Sequence, residues 1–211
     1  QLTLITLISF SSLADEISVV TEYLPPFQIQ AEDGSLSGFS TDVVQALAKS
    51  VGDQLNIKVF PWARAYETAS SVKNTMIFSM AKSEERLEKF LWVGDLHEIR
   101  AYFWGLKSQF PNPPYPVDEL KSYRIATALN SSEFHYLKHH NFTNISPVSK
   151  EEFRLTMIVK KRTDIIYETV PSLYAISEAL GLDVNLFTKL TPVEGDNLTM
   201  SIAFNKNSDA D

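Results

Sequence analysis

Ser79-Met80-Ala81-Lys82-Ser83-Glu84-Glu85-Arg86, closed a few residues later by Phe90-Leu91-Trp92-Val93-Gly94, is the stretch whose reading decides the fold. The run Thr75 to Met80 predicts a strand that ends in small residues, Ser79 and Ala81. A turn opened by Ser83 then predicts a short helix from which Arg86 projects. Such a turn can clamp a carboxylate. Arginine presents a planar fork of donors that matches two oxygens, and Ser83 with the nearby backbone N–H groups can add further donors. A solvated helix whose Arg86 pairs with Glu84, Glu85 or Glu88 would carry the same Ser-x-x-Arg pattern, so the surrounding chain has to distinguish the two.

Upstream, Ile17 to Thr21 and Leu55 to Phe60 read as strands. Between them Ser40 or Thr41 caps a predicted helix carrying Val43, Val44, Leu47 and Val51 on one side. Pro61-Trp62-Ala63-Arg64-Ala65-Tyr66 opens a second helix, proline suiting the first turn. Two strand–helix units in succession predict a mostly parallel sheet covered by helices. Downstream, Pro111-Asn112-Pro113-Pro114-Tyr115-Pro116 can continue neither a ladder nor a helix, and it punctuates the chain.

A second series follows: strand Arg124 to Thr127, helices Ser132 to His140 and Glu151 to Lys160, strand Asp164 to Tyr167, helix Pro171 to Leu180 and strand Asp183 to Phe187. Leu198 to Phe204 predicts a strand returning to the first half. The expected architecture is α/β in two lobes, residues 15–104 with 202–211 and residues 105–201, each with its own sheet, joined by two crossings and enclosing a cleft.

Composition narrows the function. The 211 residues are 44% hydrophobic and 21% charged, ordinary for a globular chain. A net charge of -7 and a pI near 5.1 repel phosphate backbones, so nucleic acid is not an expected partner. The apolar run Leu2 to Phe10, followed by Ser12-Leu13-Ala14, reads as a partial secretory signal peptide, residues 1–14, cut before Asp15. No cysteine occurs among these residues, so they hold no site for a lipid anchor, disulfide or thiolate metal centre, and a periplasmic location without lipidation is expected. His135, His139 and His140 include a pair at helical spacing but lack a third ligand, and no metal or other cofactor is expected. Gly-x-Ser-x-Gly, P-loop and His-Glu-x-x-His patterns are missing from the sequence.

Tyr23-Leu24-Pro25-Pro26-Phe27, Gly34 to Asp42, the Ser83-to-Arg86 turn, Trp92-Val93-Gly94, Arg162 to Ile166 and Ser201-Ile202-Ala203-Phe204 occur in an order that resembles the periplasmic solute-binding proteins of the amino-acid type, family 3 of the bacterial extracellular binding proteins. The resemblance covers about residues 16–207. It implies a type II periplasmic-binding-protein fold with the ligand between the lobes. It further implies a monomer that hands a small polar carboxylate-bearing solute to an ABC importer or a membrane sensor, without being an enzyme. Further helices would follow Asp211 in that family. Two alternatives share the scaffold: a cyclohexadienyl-dehydratase-like enzyme, and the binding domain of a larger receptor or lytic enzyme.

Carried onto this chain, the resemblance makes Arg86 the grip on the ligand carboxylate, with Ser79, Ala81 and Ser83 around it, and Tyr23 the stacking aromatic. Trp62 belongs to a Pro-Trp-x-Arg-Ala-Tyr arrangement like that of a poorly characterised branch of the family; core packing is the other reading of this residue. In the second lobe, Thr127, Asn130 and Ser131 lie in a strand-to-helix turn whose free N–H groups and hydroxyls favour an anion. Family members usually have glycines in this turn, and this chain has none. Glu168 stands where the family has an aspartate for the ligand's amino group, one residue closer to the strand start at Asp164.

Overall fold

Val19 and Val20 explain the first half of the sheet: adjacent residues on one strand, they point to opposite faces and both are buried. A strand enclosed on both faces needs helices above and below it, and the chain supplies them. The computed structural model describes residues 16–150 and 152–209; the segment read as a signal peptide lies outside the described residues. β1 (Glu16–Thr21) leads through a short hairpin, β2 (Ile29–Gln30) and β3 (Leu36–Ser37), to α1 (Phe39–Val51), β4 (Gln54–Val59), α2 (Trp62–Ser71) and β5 (Thr75–Ala81). β1 pairs in parallel with both β4 and β5. Val44 of α1 packs with Val19, Met76 and Phe78 on one face, and Trp62, Ala65 and Ala69 of α2 pack with Val20, Ile77 and Met80 on the other.

The chain then makes α3 (Glu84–Leu87) and the 17-residue strand β6 (Phe90–Leu106). The second half comprises α4 (Val117–Leu120), β7 (Ile125–Ala128), α5 (Ser132–His139), β8 (Ile145–Val148), α6 (Glu152–Val159), β9 (Ile165–Thr169), α7 (Val170–Ala179) and the 19-residue strand β10 (Phe187–Asn205). β7 runs parallel to β8 and β9. α5 buries Leu137 on one face against Phe103, Ile125 and Tyr167; α6 and α7 bury Leu155, Ile158, Leu173 and Ile176 on the other.

Three expectations need correction. The two halves do not have separate sheets: their strands form one eight-stranded sheet, β4-β1-β5-β10-β6-β9-β7-β8. The crossings are themselves strands. β6 and β10 pair antiparallel along their lengths, β10 joining β5 at Met200–Phe204 and β6 joining β9 at Ala101–Gly105. Asp183 to Phe187 is not a strand but a 3-10 turn, Val184–Leu186, begun by Asp183 accepting from the Asn185 N–H. On α1 the apolar stripe Val43, Leu47 and Val51 faces outward, while Ser40, Thr41, Val44 and Ala48 are buried. We propose two lobes close to those boundaries: the apolar clusters draw on residues 101–193 in one half and chiefly on 17–96 with 200–204 in the other, so the crossings fall a few residues earlier than expected.

Candidate functional site

The loop after β1 is held against the start of α1. The Ser40 N–H donates to Phe27 O at 3.0 Å, and Gly38, at φ 108°, lets the chains touch: a Cβ there would stand 2.6 Å from Phe27 O. Glu22 and Tyr23 thereby face the second lobe.

Arg86 is drawn beneath the end of β5 by a tight turn. Its N–H donates to Ser83 O at 2.9 Å, and its Nη1 donates to Ala81 O at 3.1 Å. Trp62 and Tyr66 of α2 face the guanidinium, each ring centroid 5.1 Å from its carbon. The side chain is 4% exposed. Glu85 and Glu88 turn instead toward His135 and Lys206, at 3.9 Å each, and no carboxylate among the described residues forms an ion pair with Arg86. Burial lowers its pKa, while Tyr66, Glu133 and Glu85 pull it upward.

The second lobe closes over this cation with its backbone. Asn130, in left-handed conformation at φ 60°, presents its carbonyl to two donors of the first lobe: Trp62 Nε1 at 3.0 Å and Arg86 Nη2 at 3.3 Å. The turn is fixed by Ser131, whose hydroxyl accepts from the Phe134 N–H at 3.1 Å and meets Thr127 Oγ1 at 3.2 Å. On the opposite wall Glu168, 3% exposed, is held on both oxygens: Oε2 accepts from Arg154 Nη2 at 2.8 Å and Oε1 from the Thr169 N–H at 2.8 Å. Arg154 is itself 2% exposed and also donates to Tyr167 O at 3.2 Å. Burial pushes the Glu168 carboxyl up, opposed by Arg154 and by the Thr169 N–H.

Two cavities with shared walls result. An inner chamber of about 40 Å³ is bounded by Glu22, Ser79, Ala81, Arg86, Ser131 and Glu168 among others. An outer groove of about 830 Å³ opens beyond it, with Tyr23, Phe60, Leu129 and Val148 in its walls. Glu22, Trp62 and Ala128 border both. The hydroxyls of Ser79 and Ser172, both lining the chamber and buried, have no hydrogen-bond partner among the described residues. Ser79 also adopts a positive φ of 53°, a strained conformation for a residue with a side chain.

Of the residues singled out from sequence, Trp62, Ser79, Ala81, Arg86, Ser131 and Glu168 meet at the chamber, and Tyr23 lines the groove. Asn130 contributes its carbonyl. Ser83 and Thr127 line neither cavity: Ser83 starts α3, and Thr127 is buried against Ser131. Sequence reasoning passed over three charged residues. Glu22 is partly buried at the chamber, and burial with the like charge of Glu133 pushes its carboxyl up to about 8, against the pull of Arg154 and Arg86. Arg154 and Glu133 complete the set. Arg154 had a signal in the sequence, a charge among Phe153, Leu155, Met157 and Ile158 of an apolar helix.

Residues 17–102 match the family described as bacterial extracellular solute-binding proteins, family 3. The L-cystine-binding protein TcyJ of Escherichia coli (strain K12) is 33% identical over 67 residues, 31% of this chain and 25% of that protein. The match thus spans about a quarter of the curated relative's length. Among solved structures, a histidine kinase sensor domain with similarity to periplasmic binding proteins superposes with a TM-score of 0.80 at 14% identity, covering 92% of this chain and 83% of that one. An ancestral arginine-binding protein bound to arginine gives 0.77 at 18%, covering 90% and 84%. An amino acid ABC transporter substrate-binding protein from Streptococcus pneumoniae Canada MDR_19A, bound to L-arginine, gives 0.77 at 18%, covering 91% and 81%. The fold is that of the periplasmic binding proteins, as the sequence predicts.

Proposed function

From the match of residues 17–102 to the bacterial extracellular solute-binding proteins of family 3, we propose that the chain is a protein of this kind and captures a small carboxylate-bearing solute, an amino acid or a related compound, between its two lobes. The observation that carries this reading is Arg86: a buried guanidinium without an ion-pair partner among the described residues, beside two unpartnered serine hydroxyls. A buried cation is unfavourable unless something compensates it, and a bidentate anion is the group its geometry fits. Closure follows from contacts that only the closed form makes, as the Asn130 carbonyl already makes with Trp62 and Arg86. The captured solute would pass to an ABC importer or be read by a membrane sensor; the structural neighbours include proteins of both kinds.

Binding without chemistry is supported by Glu168, the carboxyl that would act as an acid on this scaffold: its oxygens are already held by Arg154 and the Thr169 N–H. An extracellular location accords with the family, and no helix among the described residues is long and apolar enough to cross a membrane. The test is a thermal-shift screen of amino acids, short peptides and organic acids, followed by calorimetry on each hit. Arg86→Lys keeps the charge but loses the fork, and is expected to weaken carboxylate binding by about 1–3 kcal/mol. Equal affinity in the two proteins would remove Arg86 from the site.

A further inference from the structure

Resting on the reading that a carboxylate is held at Arg86, we propose that the ligand is a carboxylate with an extended apolar body, its head in the inner chamber and its body in the outer groove. The chamber, about 40 Å³, has about a twentieth of the volume of the outer groove. It takes the head of a ligand and not an extended body. On this reading the rest of the ligand passes Glu22, Trp62 and Ala128, the residues common to both cavities, into the groove of about 830 Å³.

That groove is built for apolar matter. The first lobe contributes Val59, Phe60 and Trp62, and the second contributes Leu129, Pro147 and Val148. Leu129 is the telling residue. It is 43% exposed and stands in a turn whose following residues, Asn130, Ser131 and Ser132, are all polar. An apolar side chain left in water at the mouth of an enclosed polar chamber gains by being covered, and only a ligand body in the groove covers it without moving the lobes. Lys150 and Glu152 also line the groove and pair with each other at 3.8 Å, and Glu22, the other acid there, keeps its proton up to about pH 8. A short polar ligand would leave these walls hydrated. The carboxylate head would take Arg86 Nη2 from the Asn130 carbonyl, exchanging one oxygen acceptor for a charged one.

The test is calorimetric titration of the whole chain with straight-chain carboxylates from butanoate to octanoate, beside L-arginine and L-glutamine. Affinity is expected to rise about three- to fourfold with each added methylene, the value of burying one such group. Leu129→Asp, at an exposed position and checked for an unchanged melting temperature, should flatten that series. A flat series in the wild-type protein, or an equal slope in the variant, overturns the inference. If L-arginine or L-glutamine binds while chain length has no effect, the carboxylate reading survives and the apolar body does not. If no carboxylate binds, short or long, both fall.

Discussion

Arg86 and Arg154 are both buried guanidiniums, one on each side of the cleft, yet they are compensated in opposite ways. Arg154 has a carboxylate of its own chain, Glu168, at 2.8 Å, and a backbone carbonyl besides. Arg86 has two carbonyls and two aromatic faces but, among the described residues, no carboxylate in ion-pair contact, with Glu85 and Glu133 acting on it only from further off. The first arrangement is complete as it stands and rigidifies the second lobe. The second is complete only when an anion arrives. Burial alone therefore does not mark a functional charge; burial without a counter-ion does.

The largest effect tests the paired side. Arg154→Met leaves Glu168 buried without its partner and is expected to cost about 3–5 kcal/mol in urea denaturation. A loss below about 1 kcal/mol would mean that water or another cation already serves Glu168.

Next comes Glu22, which lies between the two cations. Its carboxyl is raised from 4.5 to about 8, so the folded protein keeps a proton that the unfolded chain gives up. Stability from this group is therefore fully present below about pH 4.5 and is lost as pH rises to about 8. Glu22→Gln has no such loss, and should gain on the order of 2 kcal/mol over wild type between about pH 5 and about pH 8.5, allowing for partial exposure. If the variant instead loses stability at the higher pH, Glu22 is the counter-ion of Arg86 and the contrast between the two arginines collapses.

Trp62→Phe keeps a ring beside Arg86 and removes one lobe-to-lobe hydrogen bond; it should cost about 1 kcal/mol and lower the melting temperature by about 2–4 °C. An unchanged melting temperature would show that the Asn130 carbonyl does not hold the lobes through Trp62. Arg86→Met is expected to be the mildest change for the ligand-free fold, within about 1 kcal/mol of wild type, because no anion is orphaned. A loss as large as that of Arg154→Met would reveal an anion that the geometry does not account for.

What the sequence made legible follows the same physics. β1 and β5 were readable because buried parallel strands are written in β-branched and apolar residues, β4 because its apolar residues alternate with exposed polar ones at the sheet edge, and the Ser83-to-Arg86 turn because its residues act locally. β6 was not readable as one strand. Its exposed half contains Gly94, Asp95, His97, Glu98 and Arg100, which break the apolar pattern although the ladder to β10 continues. α1 misled because a helix lying close to a sheet buries small residues, here Ser40, Thr41 and Ala48, and leaves larger ones outside. The pairing of Arg154 with Glu168 joins a helix to a strand and has no periodicity to betray it. Seven of the ten residues assigned to the site line its cavities because strand ends and helix starts are where an α/β sheet presents them.

The continuous ladder through β6 and β10 makes the joint between the lobes a torsion bar rather than a pair of loose strings. Asn197 to Met200 pair with Arg100 to His97 across the junction, and the register slips on both sides of this short ribbon, between Pro192 and Asn197 and between Met200 and Ser201. Bulges concentrate twist and bend, so the ribbon is stiff along its length and compliant at its two ends. One lobe can turn against the other without either apolar core being opened. The same hydrogen bonds that merge two sheets into one would make a twist of this ribbon the easiest motion of one lobe against the other, and Asn130 and Arg86 lie on either side of it.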